Sequence, residues 1–187
     1  MRQIFNSKSM DIIQVKDKKF KTFIREEQIL KEVDRVAGVI SKDLQDSHPI
    51  FICILNGSFM FAADLMKRVN IPCEISFVKL ASYCGTNSTG TVKQLFGLNV
   101  DITGRTVVIV EDIVDTGVTM TKIIDMLKEK SPKEVRIASL LVKPEKLKVD
   151  IKIDYVAMNI GTDFIVGYGL DYDGYGRNYR DIYKVIE

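Results

Sequence analysis

The sequence predicts an α/β protein: an open, mostly parallel, twisted sheet flanked by helices on both faces. Three observations carry this. Apolar strand-like runs alternate with amphipathic stretches of helix length. Residues 50–55, IFICIL, are apolar throughout, as in a strand covered on both faces. Residues 106–110, TVVIV, are β-branched and apolar and stop at two acids. A chain of 187 residues suits one domain with a core that needs no disulfides. Its 46% hydrophobic and 28% charged residues are a globular composition.

In chain order, residues 26–44 carry Ile29, Leu30, Val33, Val36, Ile40 and Leu44 at helical spacing. His48-Pro49 closes that helix, because the residue before proline avoids helical angles. After the strand at 50–55, Asn56-Gly57-Ser58 makes a turn and residues 59–69 read as a helix. Residues 75–80 are a second strand. Residues 84–91, small and polar with two glycines, read as a mobile loop. The strand at 106–110 leads through a polar turn to a helix at 119–130. A strand at 135–142 ends at Lys143-Pro144, and short strands are expected at 155–158, 164–169 and 183–186. In such sheets ligands bind beyond the carboxyl ends of the strands.

The charge balance excludes some functions. Twenty-seven basic against 25 acidic side chains leave a net charge of +2, with none of the excess a general nucleic-acid binder needs. Cys53, Cys73 and Cys84 lack CxxC spacing and fit neither a disulfide framework nor a zinc site, so a reducing, cytoplasmic setting is expected. No long apolar stretch at the N-terminus suggests a signal peptide, and no run approaches the roughly 20 apolar residues of a membrane span.

The chemistry concentrates in VVIVEDIVDTGVTM, residues 107–120. An apolar strand runs into Glu111 and Asp112, and Asp115, Thr116, Gly117 and Thr119 open a helix. Unpaired N–H groups and the helix dipole favour an anion there. The threonines add hydroxyls and Gly117 permits close backbone approach. Adjacent carboxylates are costly unless a cation or hydroxyl donors offset them. Phosphate cradle and acids together suggest a sugar phosphate. Taken singly, each residue has a structural reading, as a solvated strand end or a helix cap. It is the cluster behind a buried strand that points to a site. Neither a GxxxxGK[ST] loop nor a GxGxxG fingerprint at a strand end is present.

This segment resembles the phosphoribosyl-pyrophosphate motif of type I phosphoribosyltransferases. LNGSFMFAADL (55–65), SYCGTNSTGTVK (82–93), ASLLVK (138–143) and FIVGYGLDYDGYGRN (164–178) narrow the likeness to the hypoxanthine-guanine branch, from about residue 24 onward. The resemblance implies a magnesium-dependent purine salvage enzyme. It would transfer a phosphoribosyl group from its pyrophosphate to a 6-oxopurine, giving IMP or GMP, and would work as a homodimer or homotetramer. A small hood built from parts of 1–25 and 145–187 would complete a single domain. Glu111 and Asp112 inherit the ribose hydroxyls and, with Asp171, the metal side. Asp115, Thr116, Gly117, Val118 and Thr119 wrap the 5′-phosphate, and Asp115 faces purine N7 as general base. Lys143 donates to O6; an ammonium has only donors, so it selects a 6-oxo over a 6-amino base. Phe164 stacks on the purine, Ile165 offers backbone hydrogen bonds, and Asp171 meets the purine edge or a magnesium water. Asn56 and Gly57, with a cis peptide, and Arg177 take the pyrophosphate. Ser82 and Tyr83 belong to a flexible loop that closes the site.

Three positions depart from the family pattern. Asn56 stands where many relatives have lysine, Val118 where lysine or leucine is frequent, and Asp163 where a basic residue is usual. Two rival readings share the donor motif: a xanthine-preferring enzyme, and a pyrimidine-operon regulator that binds RNA. The regulator needs a basic face, which the balanced charge does not suggest.

Overall fold

A computed structural model describes residues 11–84 and 91–186, with the backbone course alone for residues 81–96. The chain begins with a hairpin, β1 (Ile12–Val15) and β2 (Lys18–Ile24), and enters α1 (Glu26–Asp43). It continues through β3 (Ile50–Leu55), α2 (Phe59–Met66), β4 (Glu74–Cys84), β5 (Thr91–Phe96), β6 (Thr106–Val114) and α3 (Val118–Lys128). Then follow β7 (Glu134–Val142), a 3₁₀ turn (Pro144–Lys146), β8 (Tyr155–Asn159), β9 (Ile165–Val166) and β10 (Ile182–Val185). The larger sheet has the order β5-β4-β3-β6-β7-β8. Its five strands from β4 to β8 are parallel, and β5 is antiparallel at the edge. The smaller sheet, β1-β2-β10-β9, is antiparallel and forms the hood.

Strand periodicity divides the core in two. Phe51 and Cys53 of β3 face α1 and α2, packing with Ile29, Val33, Val36, Phe61 and Leu65. Ile50, Ile52 and Ile54 face the other way, toward Met120, Ile123 and Leu127 of α3. Helices thus cover both faces, as the apolar run at 50–55 predicts. Each buried aliphatic side chain contributes about 1.5–3 kcal/mol, enough to fix the register of the central strands. The hood is tied to this core at the start of α1. The Asp181 carboxylate accepts from the Glu26 N–H (2.7 Å) and from Arg25 (3.0 Å), so a residue far along the chain satisfies a helix-end donor.

Several elements differ from the sequence expectation. β6 does not stop at Val110; it continues to Val114, pairing Glu111 with Ser139 and Val114 with Val142. The β7 ladder supplies backbone partners there, which outweighs the polarity of the acids. The hairpin over 12–24 and strand β5 have no counterpart in the sequence reading. The hood side chains Val15 and Phe20 are buried all the same. β4 runs on to Cys84, so Cys84 and Thr91 pair as strand ends rather than lying in a loop; residues 85–90 of the expected loop lie outside the described residues. The strand expected at 164–169 is only Ile165–Val166, because Gly167, Tyr168 and Gly169 all have positive φ (100°, 49° and 97°) and turn the chain away. Among the described residues no helix is long and apolar enough to cross a membrane.

Candidate active site

The end of β6 and the start of α3 enclose a cavity of about 280 Å³, bordered by Glu111, Asp112, Asp115, Thr116, Gly117 and Thr119. Gly117 is the residue before α3 and has φ 78°, with no side-chain cap on the helix. A Cβ there would stand 2.6 Å from Val149 Cγ2. Glycine is therefore needed both for the backbone angle and for the space. The first intrahelical bond at this end is Thr121 N–H to the Gly117 carbonyl (3.0 Å). The amides of Val118, Thr119 and Met120 precede it and have no partner earlier in the helix. A helix start open in this way suits an anion. Val118 and Thr119 are exposed at its rim.

The acid pair lies on the final turns of β6. Asp112 is buried and its Oδ1 accepts the Ile113 N–H (2.8 Å). Glu111 is half-buried, and its carboxyl is pushed well above the usual range, first by loss of water and then by the neighbouring Asp112. Below them the Cys53 thiol is pushed up to about 12 by burial and by the Glu111 charge. Among the described residues no cation pairs with either acid, which leaves a donor set suited to a hard cation or to hydroxyls. Among the described residues no three His, Cys, Asp or Glu side chains converge on one point. Asp171, expected at the purine edge or on a magnesium water, is engaged with Arg177 (2.6 Å) and the Gly174 N–H (2.6 Å).

The Asn56-Gly57 turn lies directly against the acids. The Leu55–Asn56 peptide is cis, and a Cβ on Gly57 would fall 1.7 Å from Asp112 Oδ2. Ser58 Oγ closes the turn on the Ile54 carbonyl (2.6 Å). Gly169 approaches from the other side, where a Cβ would be 2.1 Å from the Gly57 oxygen. The turn at 167–171 is anchored by Tyr168, fully buried, whose hydroxyl donates to Asp64 of α2 (2.7 Å). Burial and this carboxylate hold that hydroxyl far above the usual tyrosine range. Arg177 donates to the Gly169 carbonyl (2.6 Å) and is fixed by Asp171.

Asp115 connects this region to Lys143. Lys143 follows β7 with only 5% of its surface exposed. Its ammonium donates to the Asp163 carbonyl (2.9 Å) and lies 3.5 Å from Asp115 Oδ2. Lys146 reaches the same oxygen at 3.0 Å. Phe164 is 43% exposed, edge-on to Tyr172 (5.7 Å) and 6.0 Å from Phe20. Ile165 is buried in β9. The Asp163 carboxylate faces Lys184 (3.5 Å). Ser82 and Tyr83 pair with Lys93 and Val92 in the β4–β5 ladder. Their side chains lie outside the description.

Sequence reasoning missed Lys146, Tyr168 and Gly169. A signal for Lys146 existed: a proline-initiated 3₁₀ turn eclipses residues three apart, aligning it with Lys143. Tyr168 and Gly169 carried no such signal, because their roles depend on contacts with α2 and the turn at 57.

A phosphoribosyl transferase domain model matches residues 21–173. The chain is 41% identical over 163 residues to a hypoxanthine-guanine phosphoribosyltransferase of Streptococcus pyogenes serotype M3, covering 87% of this chain and 89% of the relative. The corresponding protein of Aquifex aeolicus is 38% identical over 174 residues, covering 92% and 98%. A solved hypoxanthine-guanine phosphoribosyltransferase from Bacillus anthracis matches with a TM-score of 0.80 at 35% identity, over 96% of this chain and 100% of that one. The hypoxanthine phosphoribosyltransferase of Trypanosoma cruzi matches with a TM-score of 0.80 at 33% identity, over 88% and 94%. An open helix start beside an acid pair, this sheet order and these likenesses agree: the chain belongs to the phosphoribosyl transferase family.

Proposed function

We propose that the protein is a purine salvage enzyme that transfers the 5-phosphoribosyl group from phosphoribosyl pyrophosphate to hypoxanthine, and by the same contacts to guanine, giving IMP or GMP and pyrophosphate. The observation that carries this is Asp115. It borders the cavity at the start of α3 and also lies 3.5 Å from the buried Lys143 ammonium. One carboxylate therefore joins a phosphate cradle to a donor that selects a 6-oxo group.

In this reading the amides and hydroxyls of Thr116–Thr119 hold the 5′-phosphate. Glu111 and Asp112 accept the ribose hydroxyls and lower the electrostatic cost of positive charge at C1. The Gly57 turn, with Asn56, and Arg177 hold the pyrophosphate. The bond from C1 to the pyrophosphate oxygen breaks and purine N9 bonds to C1. The N7 proton passes to Asp115, which must lie within about 3 Å of that nitrogen. Lys143 holds O6, Phe164 stacks on the base, Ile165 offers its backbone, and Asp171 meets the purine edge. Ser82 and Tyr83, in the segment that closes the site, exclude water. Magnesium fits the uncompensated carboxylates Glu111 and Asp112, with Asp171 a further candidate through water; when bound it would neutralise the departing diphosphate.

We read the hood and core as one domain, on the strength of the Asp181 contacts with the start of α1. The unpaired thiols of Cys53 and Cys73 support a cytoplasmic setting. Self-association as a homodimer or homotetramer has a surface to use, because Ile75 and Phe77 of β4 and Phe59 of α2 are exposed; sedimentation velocity reads the outcome. A steady-state assay of hypoxanthine, guanine, xanthine and adenine with the phosphoribosyl donor tests the central reading. Turnover is expected with the 6-oxopurines. Product from adenine but not hypoxanthine would overturn it.

A further inference from the structure

We propose that Lys146 is a positioning residue that holds the Asp115 carboxylate, so that Lys143 can leave it and donate to the 6-oxo group of an incoming base. The inference rests on the function proposed above and assigns its base selectivity to a pair of lysines rather than one.

Two cations share one oxygen. Lys146 Nζ is 3.0 Å and Lys143 Nζ 3.5 Å from Asp115 Oδ2. The other oxygen, Oδ1, is enclosed and has no hydrogen-bond partner among the described residues. The carboxylate is thus held at one side, with the opposite lone pairs left for a ligand. The lysines differ in setting. Lys143 is 5% exposed and already donates to the Asp163 carbonyl, whereas the Lys146 side chain is 38% exposed.

A buried ammonium that turns from a carboxylate toward a neutral carbonyl leaves that carboxylate uncompensated unless another cation stays behind. Lys146 is that second cation. Its place is set by backbone bonds independent of Lys143's side chain. Lys146 N–H donates to the Lys143 carbonyl (3.0 Å), and Lys148 N–H donates to the Thr116 carbonyl (3.0 Å). The turn that carries Lys146 is therefore stitched to the phosphate loop that carries Asp115. When a base enters, Lys143 needs to exchange only its longer contact, while the shorter one from Lys146 persists. Without Lys146 the same movement separates Asp115 from its last neighbouring ammonium, and Lys143 is retained.

The test uses the full chain and compares wild type with Lys146→Met and Lys146→Arg. In Lys146→Met the KM for hypoxanthine should rise about fivefold to tenfold, as for a charge-assisted hydrogen bond discounted for partial exposure. The KM for the phosphoribosyl donor should stay within twofold. Lys146→Arg should restore the hypoxanthine KM. Unsubstituted purine, which has no 6-oxo group, should inhibit wild type and Lys146→Met equally, since it does not recruit Lys143. Lys146→Gln, uncharged but polar, gives the same readings should the methionine variant not fold. An unchanged hypoxanthine KM, equal losses for both substrates, or equal weakening of purine and hypoxanthine overturns the role. Wild type that does not turn over hypoxanthine with the donor defeats the proposed function instead.

Discussion

On the proposed donor side, residues 111–119 come from one strand end and the helix start that follows, and all but Val118 border one cavity. On the proposed base side, Lys143, Phe164 and Asp171 come from separate segments of the chain. The donor side is held by the central ladder of β6 with β3 and β7. The base side hangs on single ties such as Tyr168 to Asp64 and Arg177 to Asp171. The contrast teaches that a rigid grip on a constant partner can be encoded locally. Reading a variable partner is left to pieces that can be exchanged one at a time.

Gly57→Ala should break the contrast most severely, because it damages both sides at once. The added methyl meets Asp112 Oδ2 at 1.7 Å, and relief would push the turn toward Gly169. A misplacement of about 1 Å costs on the order of 10²-fold. We expect kcat/KM to fall at least that far for donor and base alike, measured in steady state with circular dichroism confirming the fold. Phe164→Ala should separate the sides. The ring is half-exposed and packs edge-on to Tyr172, so its loss should raise the hypoxanthine KM about fivefold, as expected for roughly 1 kcal/mol of aromatic contact, and leave the donor KM unchanged. A donor KM that moves in parallel would show that the sides are not separable.

The smallest effect probes the floor of the donor side. Cys53 lies under Glu111, and its thiol is raised from 9.0 to about 12. The folded state therefore favours the protonated thiol. Its stability contribution is complete below pH 9 and is lost as pH rises from there toward 12. The loss is at most about 1.4 kcal/mol per pH unit. Between pH 9 and pH 10 the wild-type chain should lose about 1 kcal/mol more than Cys53→Val, read from urea midpoints. Parallel curves would mean that water reaches the thiol.

The same contrast governs what the sequence discloses. Residues 50–55 and 106–110 declare the sheet through unbroken apolar runs, and the acids and threonines after the second of them mark the candidate site. The hairpin at 12–24 is not evident, because Lys18, Lys19 and Lys21 interrupt its apolar alternation. Its register depends on pairing with β10, some 160 positions away. On the base side, Lys143 and Phe164 become candidates through family likeness rather than pattern, since a lysine after a strand and a half-exposed phenylalanine are ordinary on their own. Lys146 and Tyr168 acquire meaning only from distances to Asp115 and Asp64.

The close approach of the Asp112 carboxylate to Gly57 also bears on how such a protein can diverge. A larger residue there would run into the buried carboxylate of Asp112, one of the two acids at the end of β6. That α-carbon is closed to drift. Position 56, one peptide earlier, has its side chain exposed to solvent and carries none of this constraint. Side chains of different charge can stand there without disturbing the backbone of the turn.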